Sequence, residues 1–168
     1  MGTVTAPAPW KQLLLTALES NAHLPHSSYF QLATIGSNGR PSNRTVVFRG
    51  FQEDSDKIQI NTDCRTRKIE ELKHCPFAEQ REKSWFSGSL RSRLQYLGPS
   101  PGLPNLSEQP SNEVSLDPST GPVGAFCLLV LDPHQVDYLN LKHNQRLSFT
   151  STPSPNGEKS WTSERVNP

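Results

Sequence analysis

Apolar and polar positions recur with two different periods along this chain, and the switches between them mark out its elements. Trp10, Leu13, Leu14, Ala17 and Leu18 fall at helical spacing behind Pro7 and Pro9, with Lys11, Gln12 and Glu19 off the stripe. The pattern predicts an N-terminal helix packed on its own domain, a partner-binding helix being the other reading of such a stripe. From Tyr29 the period shortens to two. Tyr29 to Ile35 and Ser42 to Arg49 read as strands joined by Gly36-Ser37-Asn38-Gly39-Arg40-Pro41, a turn rich in residues that accept positive φ. Gly50 to Asp56 turns the chain again, and Lys57 to Thr62 gives a third strand with Ile58 and Ile60 on one face. Short spacing and alternation together predict an antiparallel meander, hence a barrel or sandwich.

A helix is predicted from near Thr66, with Ile69 and Leu72 as its apolar side and Glu70 and Glu71 in its early turns. Gln80 to Gln95 forms a second, charged helical stretch carrying Trp85, Phe86, Leu90 and Leu94. Residues 98–122 are dominated by Pro, Ser, Gly and Asn, which predicts a mobile loop. Phe126-Cys127-Leu128-Leu129-Val130-Leu131 is a continuous apolar run, expected as a strand buried on both faces. Val136 to Leu141, Arg146 to Ser151 and Lys159 to Val166 complete the strands, with a hairpin signal at Asn156-Gly157. The expected architecture is mainly β with flanking helices, in a single domain over residues 1–168.

Composition narrows the classes. Lys+Arg 17 against Asp+Glu 16 leaves a net charge of +1, so no global field favours nucleic acid or an anionic membrane. No apolar run is long enough to cross a bilayer, and neither a signal-peptide nor a transit pattern opens the chain. Met1-Gly2 is followed by Ala6 where a myristoylation motif needs Ser or Thr. Cys64, Cys75 and Cys127 are odd in number and lack C-x-x-C spacing, which argues against a disulfide framework or a zinc site. A cytoplasmic protein is the expectation. The five histidines show no metal-ligand spacing, so no metal is expected. Arg81, Lys83, Arg91 and Arg93 scatter around a helix and read as a solvated face rather than a nucleic-acid surface.

Candidate chemistry concentrates between Arg44 and Lys68. Alternation puts Arg44, Val46 and Phe48 on one strand face and Thr45, Val47 and Arg49 on the other. Five residues at about 3.3 Å separate Arg44 from Arg49 by roughly 16 Å, too far to share one phosphate. Two anions would satisfy both; otherwise the arginines are solvated or paired with Asp54 or Asp56. Arg67 and Lys68 fall in the first helical turn, where cations oppose the dipole unless an anion binds there. Thr62 and Thr66 would add hydroxyl donors, while a solvated helix start beside Asp63 and Glu70 is the competing reading.

These residues carry a family resemblance. Ala33-Thr34-Ile35 through Gly39-Arg40-Pro41, then Arg44-x-Val46-Val47-x-Arg49-Gly50-Phe51, then Asn61-Thr62-x-x-x-Thr66-Arg67-Lys68-x-x-x-Leu72 resembles the FMN-binding half of pyridoxamine 5'-phosphate oxidases. The ending Trp161-Thr162-Ser163-Glu164-Arg165-Val166-Asn167-Pro168 resembles that family's C-terminus. The resemblance implies an FMN-binding split β-barrel that dimerises and binds the flavin across the subunit interface. It implies oxidation of pyridoxine or pyridoxamine 5'-phosphate to pyridoxal 5'-phosphate, with dioxygen as acceptor. It implies that Arg44, Arg67 and Lys68 bind the FMN phosphate, and that Thr45, Val46, Val47 and Phe48 line the flavin with their backbone. Asn61 and Thr62 add polar contacts, and Arg49 and Arg146 face the substrate. No residue is assigned as catalytic, since the flavin supplies the redox chemistry.

The chain departs from the family at three points. Phe77-Ala78-Glu79 runs directly into Gln80-Arg81-Glu82-Lys83, where the family has a strand pair, so the barrel is expected to be incomplete. Ser148 stands where the family's Arg-x-His motif, here beginning at Arg146, has histidine, and Leu139 replaces a flavin-contacting tryptophan. These departures leave a second expectation open: a flavin-binding module without turnover, or an inactive isoform acting through dimerisation.

Overall fold

The computed structural model describes residues 8–36, 38–72, 78–104, 115–153 and 159–168. In chain order its elements are α1 (Pro9–Ser20), β1 (Tyr29–Ile35), β2 (Pro41–Val47), β3 (Ile58–Asp63), α2 (Arg67–Leu72), α3 (Ala78–Ser87), α4 (Leu90–Leu94), β4 (Phe126–Leu131), β5 (Gln135–Asn140), β6 (Gln145–Pro153) and β7 (Lys159–Val166). The strands pair as three separate sheets, β1–β2, β3–β4 and β5–β6–β7, so no closed barrel forms among the described residues. Contacts group the chain into two compact units.

One unit contains α1, residues 50–58 and the three C-terminal strands. Pro9 occupies the first helical position, where its missing N–H costs nothing, and the Ala8 N–H donates to the Asp56 carboxylate at 3.2 Å. The predicted apolar stripe meets the sheet. Trp10 packs edge-on against Trp161 with ring centroids 5.7 Å apart, and Ala8, Trp10 and Phe149 form the buried core. Lys11 lies over the Phe51 ring at 4.7 Å and donates to the Ser55 carbonyl at 2.6 Å, fixing the 50–58 turn. Strands β5, β6 and β7 are consecutive and antiparallel, with Val136 opposite Phe149 and Phe149 opposite Ser163. The hairpin signal at Asn156-Gly157 lies outside the described residues.

The other unit spans residues 29–49 and 59–130. Strands β1 and β2 pair antiparallel, Leu32 facing Arg44 and Thr34 facing Ser42. Gly39 closes their turn at φ +73°, a conformation that side-chain-bearing residues rarely adopt. Ser37 of that turn lies outside the described residues. A second core gathers Trp85, Tyr96, Leu116 and Phe126, their rings meeting at 5.0–6.0 Å. Trp85 donates its indole N–H to the Thr120 carbonyl at 2.8 Å, and Arg93 donates to the Pro118 carbonyl at 2.9 Å while lying 5.7 Å over the Trp85 ring.

Two expectations need correction here. The helical stretch Gln80–Gln95 is broken at Gly88-Ser89, where the Ser89 hydroxyl caps α4 by accepting from Ser92 N–H. Strand β4 is half-buried beyond Phe126 rather than buried on both faces, because β3 is its single strand neighbour among the described residues. Of the 98–122 segment, residues 105–114 lie outside the description, but the flanks are held: Leu116 is in the core, and Pro118 and Thr120 accept hydrogen bonds. Composition misses this because the anchoring groups are backbone carbonyls, which every residue carries.

Candidate functional site

Strand β2 and the turn after β3 build one charged cavity. It has a volume of about 350 Å³ and is lined by Ser42, Arg44, Arg65, Thr66, Arg67, Lys68, Glu71, Pro101 and Gly102. The inward face of β2 supplies Ser42 and Arg44, since Asn43 and Thr45 alternate outward. The turn is self-braced. Asp63 accepts from the Arg65 N–H at 2.8 Å and from its guanidinium at 2.6 Å, and the Thr66 hydroxyl donates to the Asp63 carbonyl at 2.7 Å. Arg65 also donates to the Gly98 carbonyl at 3.0 Å, tying the turn to the segment that brings Pro101 and Gly102 to the rim. Burial raises the Asp63 carboxyl, but the hydrogen bonds and charge of Arg65 outweigh it and hold the group below the ordinary aspartate value.

Arg44 is held by a network. It donates to Glu71 at 2.8 Å, to the Thr34 hydroxyl, and to the Leu32 carbonyl at 3.4 Å, and Thr34 donates in turn to Glu71. The Thr34 hydrogen bond, then Arg44, lowers Glu71 below the ordinary glutamate value. Lys68 is pushed below the ordinary lysine value, first by burial and then by the Arg44 guanidinium, against the pull of Asp63. Four cations, Arg44, Arg65, Arg67 and Lys68, thus face two carboxylates, Asp63 and Glu71, leaving a surplus of two positive charges. A phosphate monoester dianion is the complement of that surplus, and it would relieve the penalty on Lys68. Helix α2 has six residues, so side chains rather than a helix dipole must do the holding.

The cavity brings Arg44, Arg67 and Lys68 together; the other predicted residues lie elsewhere. Thr45 faces outward and accepts from the Gln31 amide at 2.9 Å, Val46 is buried, and Val47 and Phe48 are half-buried. Asn61 accepts from the Ser84 hydroxyl at 2.5 Å. Thr62 is 4% exposed and its hydroxyl has no partner among the described residues. Arg49 is exposed two residues beyond β2, its N–H bonded to the Gln59 carbonyl at 3.0 Å. Arg146 belongs to the other unit, where Asp137 takes it at 2.7 Å. Sequence reasoning missed Ser42, Arg65, Glu71, Pro101 and Gly102. Spacing could have flagged Ser42, two residues before Arg44, and Glu71, one turn after Arg67. Nothing local marks Pro101 or Gly102, which arrive through the chain's return.

Comparison with known proteins shows the family. Residues 7–95, more than half the chain, match the family described as pyridoxamine 5'-phosphate oxidase, FMN-binding domain. The chain belongs to that family, and it is an FMN-binding oxidoreductase with the family's split-barrel fold. It is 59% identical to pyridoxine/pyridoxamine 5'-phosphate oxidase 2 of Arabidopsis thaliana, covering 98% of this chain and 99% of that one. A pyridoxamine 5'-phosphate oxidase-related, FMN-binding protein of Nostoc punctiforme superposes with a TM-score of 0.83 at 34% identity, covering 98% of this chain and all of that one. PhzG of Burkholderia lata shares the fold, with a TM-score of 0.62 at 18% identity over 99% of this chain and all of that one. The Arabidopsis alignment is 196 positions long against 168 residues here, so at least 28 positions of that relative have no counterpart in this chain. Since the alignment nearly reaches both ends of both proteins, most of the gap is internal.

Proposed function

We propose that this protein oxidises pyridoxine or pyridoxamine 5'-phosphate to pyridoxal 5'-phosphate, with FMN as cofactor and dioxygen as electron acceptor. The observation that carries the reading is the cavity in which Arg44, Arg67 and Lys68 converge with a surplus of two positive charges. Its support from outside the cavity is the near full-length likeness to the Arabidopsis oxidase. FMN supplies the redox chemistry when bound. The chain's own residues supply binding and orientation: Arg67 and Lys68 meet the phosphate as charges, and Arg44 meets it by yielding part of its hold on Glu71. Arg65 and Asp63 keep the turn in shape. In this reading Thr62 offers its unpartnered hydroxyl to the flavin, Arg49 faces the substrate phosphate, and the protein works as a cytoplasmic homodimer.

A second reading has its own observation. The internal gap of at least 28 positions, together with sheets that do not close among the described residues, favours a flavin-binding isoform that dimerises without turnover. The gap is placed by this reading at Glu79–Gln80. Mixing the purified protein with FMN and pyridoxine 5'-phosphate separates the two. Pyridoxal 5'-phosphate formed with matching oxygen uptake supports the oxidase; a yellow, FMN-bound protein that forms no product supports the isoform.

A further inference from the structure

Arg65 lines the cavity, yet its guanidinium is already engaged with protein. Its Nε donates to the two Asp63 carboxylate oxygens at 3.0 and 3.2 Å. Nη2 donates to Asp63 at 2.6 Å and to the Tyr96 carbonyl at 3.4 Å, and Nη1 donates to the Gly98 carbonyl at 3.0 Å. All but one of its N–H groups are thereby taken. Arg67 and Lys68, which follow on the same turn, have no salt bridge to a described residue. Of these three cations, one is bound to protein and two are open to a ligand.

What Arg65 joins gives its bonds consequence. On one side is the turn itself, where the Thr66 N–H and hydroxyl both return to the Asp63 carbonyl, at 3.2 and 2.7 Å. Helix α2, with Arg67 and Lys68, starts directly from it. On the other side is Tyr96, whose ring packs on Phe126 and Trp85 in the buried core, with centroids 5.0 and 6.0 Å away. The chain leaves that anchor through Gly98 and reaches the cavity again at Pro101 and Gly102. Asp63 is buried, so its charge must be matched, and Arg65 matches it. One guanidinium thus holds two walls of the cavity together, the cationic turn and the 98–102 segment.

We propose that Arg65 is a positioning residue that couples occupancy of the cavity to the order of residues 98–102. The site uses its fork geometry rather than its charge. A lysine ammonium is a point charge and cannot serve a carboxylate and two separate carbonyls at once. A phosphate gripped by Arg67 and Lys68 fixes the turn and, through Arg65, the 98–102 wall. By linkage, loosening that wall weakens the grip. The coupling to FMN rests on the phosphate reading of the cavity, whereas the clamp itself does not.

Arg65→Lys in the full chain keeps the charge and removes the fork, and hydrogen exchange at the Ser100, Gly102 and Leu103 amides reports the far wall. Exchange there should run about three- to tenfold faster in ligand-free Arg65→Lys than in the native chain. FMN should slow it by about threefold or more in the native protein and leave it unchanged in the variant. FMN affinity should fall by about 10- to 100-fold, and riboflavin affinity by less than about threefold. Asp63→Asn keeps an oxygen for the Arg65 backbone N–H but loses the paired carboxylate. It should reproduce these changes, with little added in the double variant, and it carries the test if Arg65→Lys does not fold. FMN affinity retained within about twofold in Arg65→Lys overturns the proposal, since Arg65 then acts as a charge alone. Faster exchange spread over the whole chain overturns it as well, as lost stability in place of a local coupling. If the native chain binds FMN no better than riboflavin, the phosphate reading falls; the clamp then stands or falls on whether ligand-free Arg65→Lys exchanges faster at 98–102.

Discussion

Arg44 and Arg146 are both strand arginines paired with one carboxylate, and they differ in what surrounds the pair. Arg44 shares Glu71 with Thr34, the Arg44 and Glu71 side chains being 23% and 10% exposed, and Arg67 and Lys68 line the same cavity. Arg146 meets Asp137 across β5 and β6 on an open sheet face, where the side chains are 40% and 49% exposed. Its charge is matched one to one and largely screened by water. What suits Arg44 and not Arg146 to an anion, in the reading proposed, is the excess of cations gathered in a partly desolvated place. Neither the residue type nor the strand position decides it.

The comparison can be broken most directly at its strongest point. Replacing both Arg67 and Lys68 with Ala should lower FMN affinity by roughly two to four decades, at about 1.5–3 kcal/mol per charge-assisted contact. Riboflavin, which lacks the phosphate, should lose little in the same titration. Equal losses for both ligands would point to damage to the fold instead.

Arg44→Ala against Arg146→Ala sets the two pairs side by side. The first should weaken FMN binding by about 10- to 100-fold, the second by less than about twofold with little change in thermal midpoint. Calorimetric titration and thermal melts of the two variants decide the matter, and similar effects on FMN would dissolve the distinction.

Glu71→Gln sharpens the role of the carboxylate. It keeps an acceptor for Thr34 and Arg44 while removing a negative charge from the cavity, so FMN should bind about three- to tenfold more tightly. Weaker binding would mean that the ionic orientation of Arg44 outweighs the repulsion of the phosphate.

The smallest effect is on acid stability. Thr34 and Arg44 hold Glu71 below its ordinary value, so its contribution is complete above the unfolded-state pKa and is lost as pH falls through the folded one. Melts taken from neutral pH down through about pH 4.3 and below should therefore show a shallower loss for Glu71→Gln than for the native chain. Asp137, lowered by its hydrogen bond to Arg146, titrates in the same direction, so Asp137→Asn serves as the matched control from the exposed pair. Parallel curves for native and Glu71→Gln proteins would show that the ion pair contributes nothing to folding.

Local sequence determined much of this molecule. The Trp10–Leu18 stripe, the alternation of the first three strands, the apolar run at Phe126–Leu131 and the turn at Gly36–Pro41 are short-range signals, and each element sits within a few residues of its predicted place. The phosphate-binding candidates Arg44, Arg67 and Lys68 were legible for the same reason, as cations at strand and helix-start positions whose order and spacing carry a family pattern. Other features required the folded chain. Glu71 reads as an ordinary helix-turn acid until Thr34 and Arg44 arrive from β1 and β2. The pairing of Arg146 with Asp137 shows only once the two strands lie side by side. The bond from Arg65 to the Gly98 carbonyl, at the start of the Pro- and Ser-rich 98–122 segment, has no local sequence signal. Composition and periodicity record what each residue can do within one turn or one strand. Charge balance and desolvation depend on which distant residues share a space, and only tertiary structure sets that.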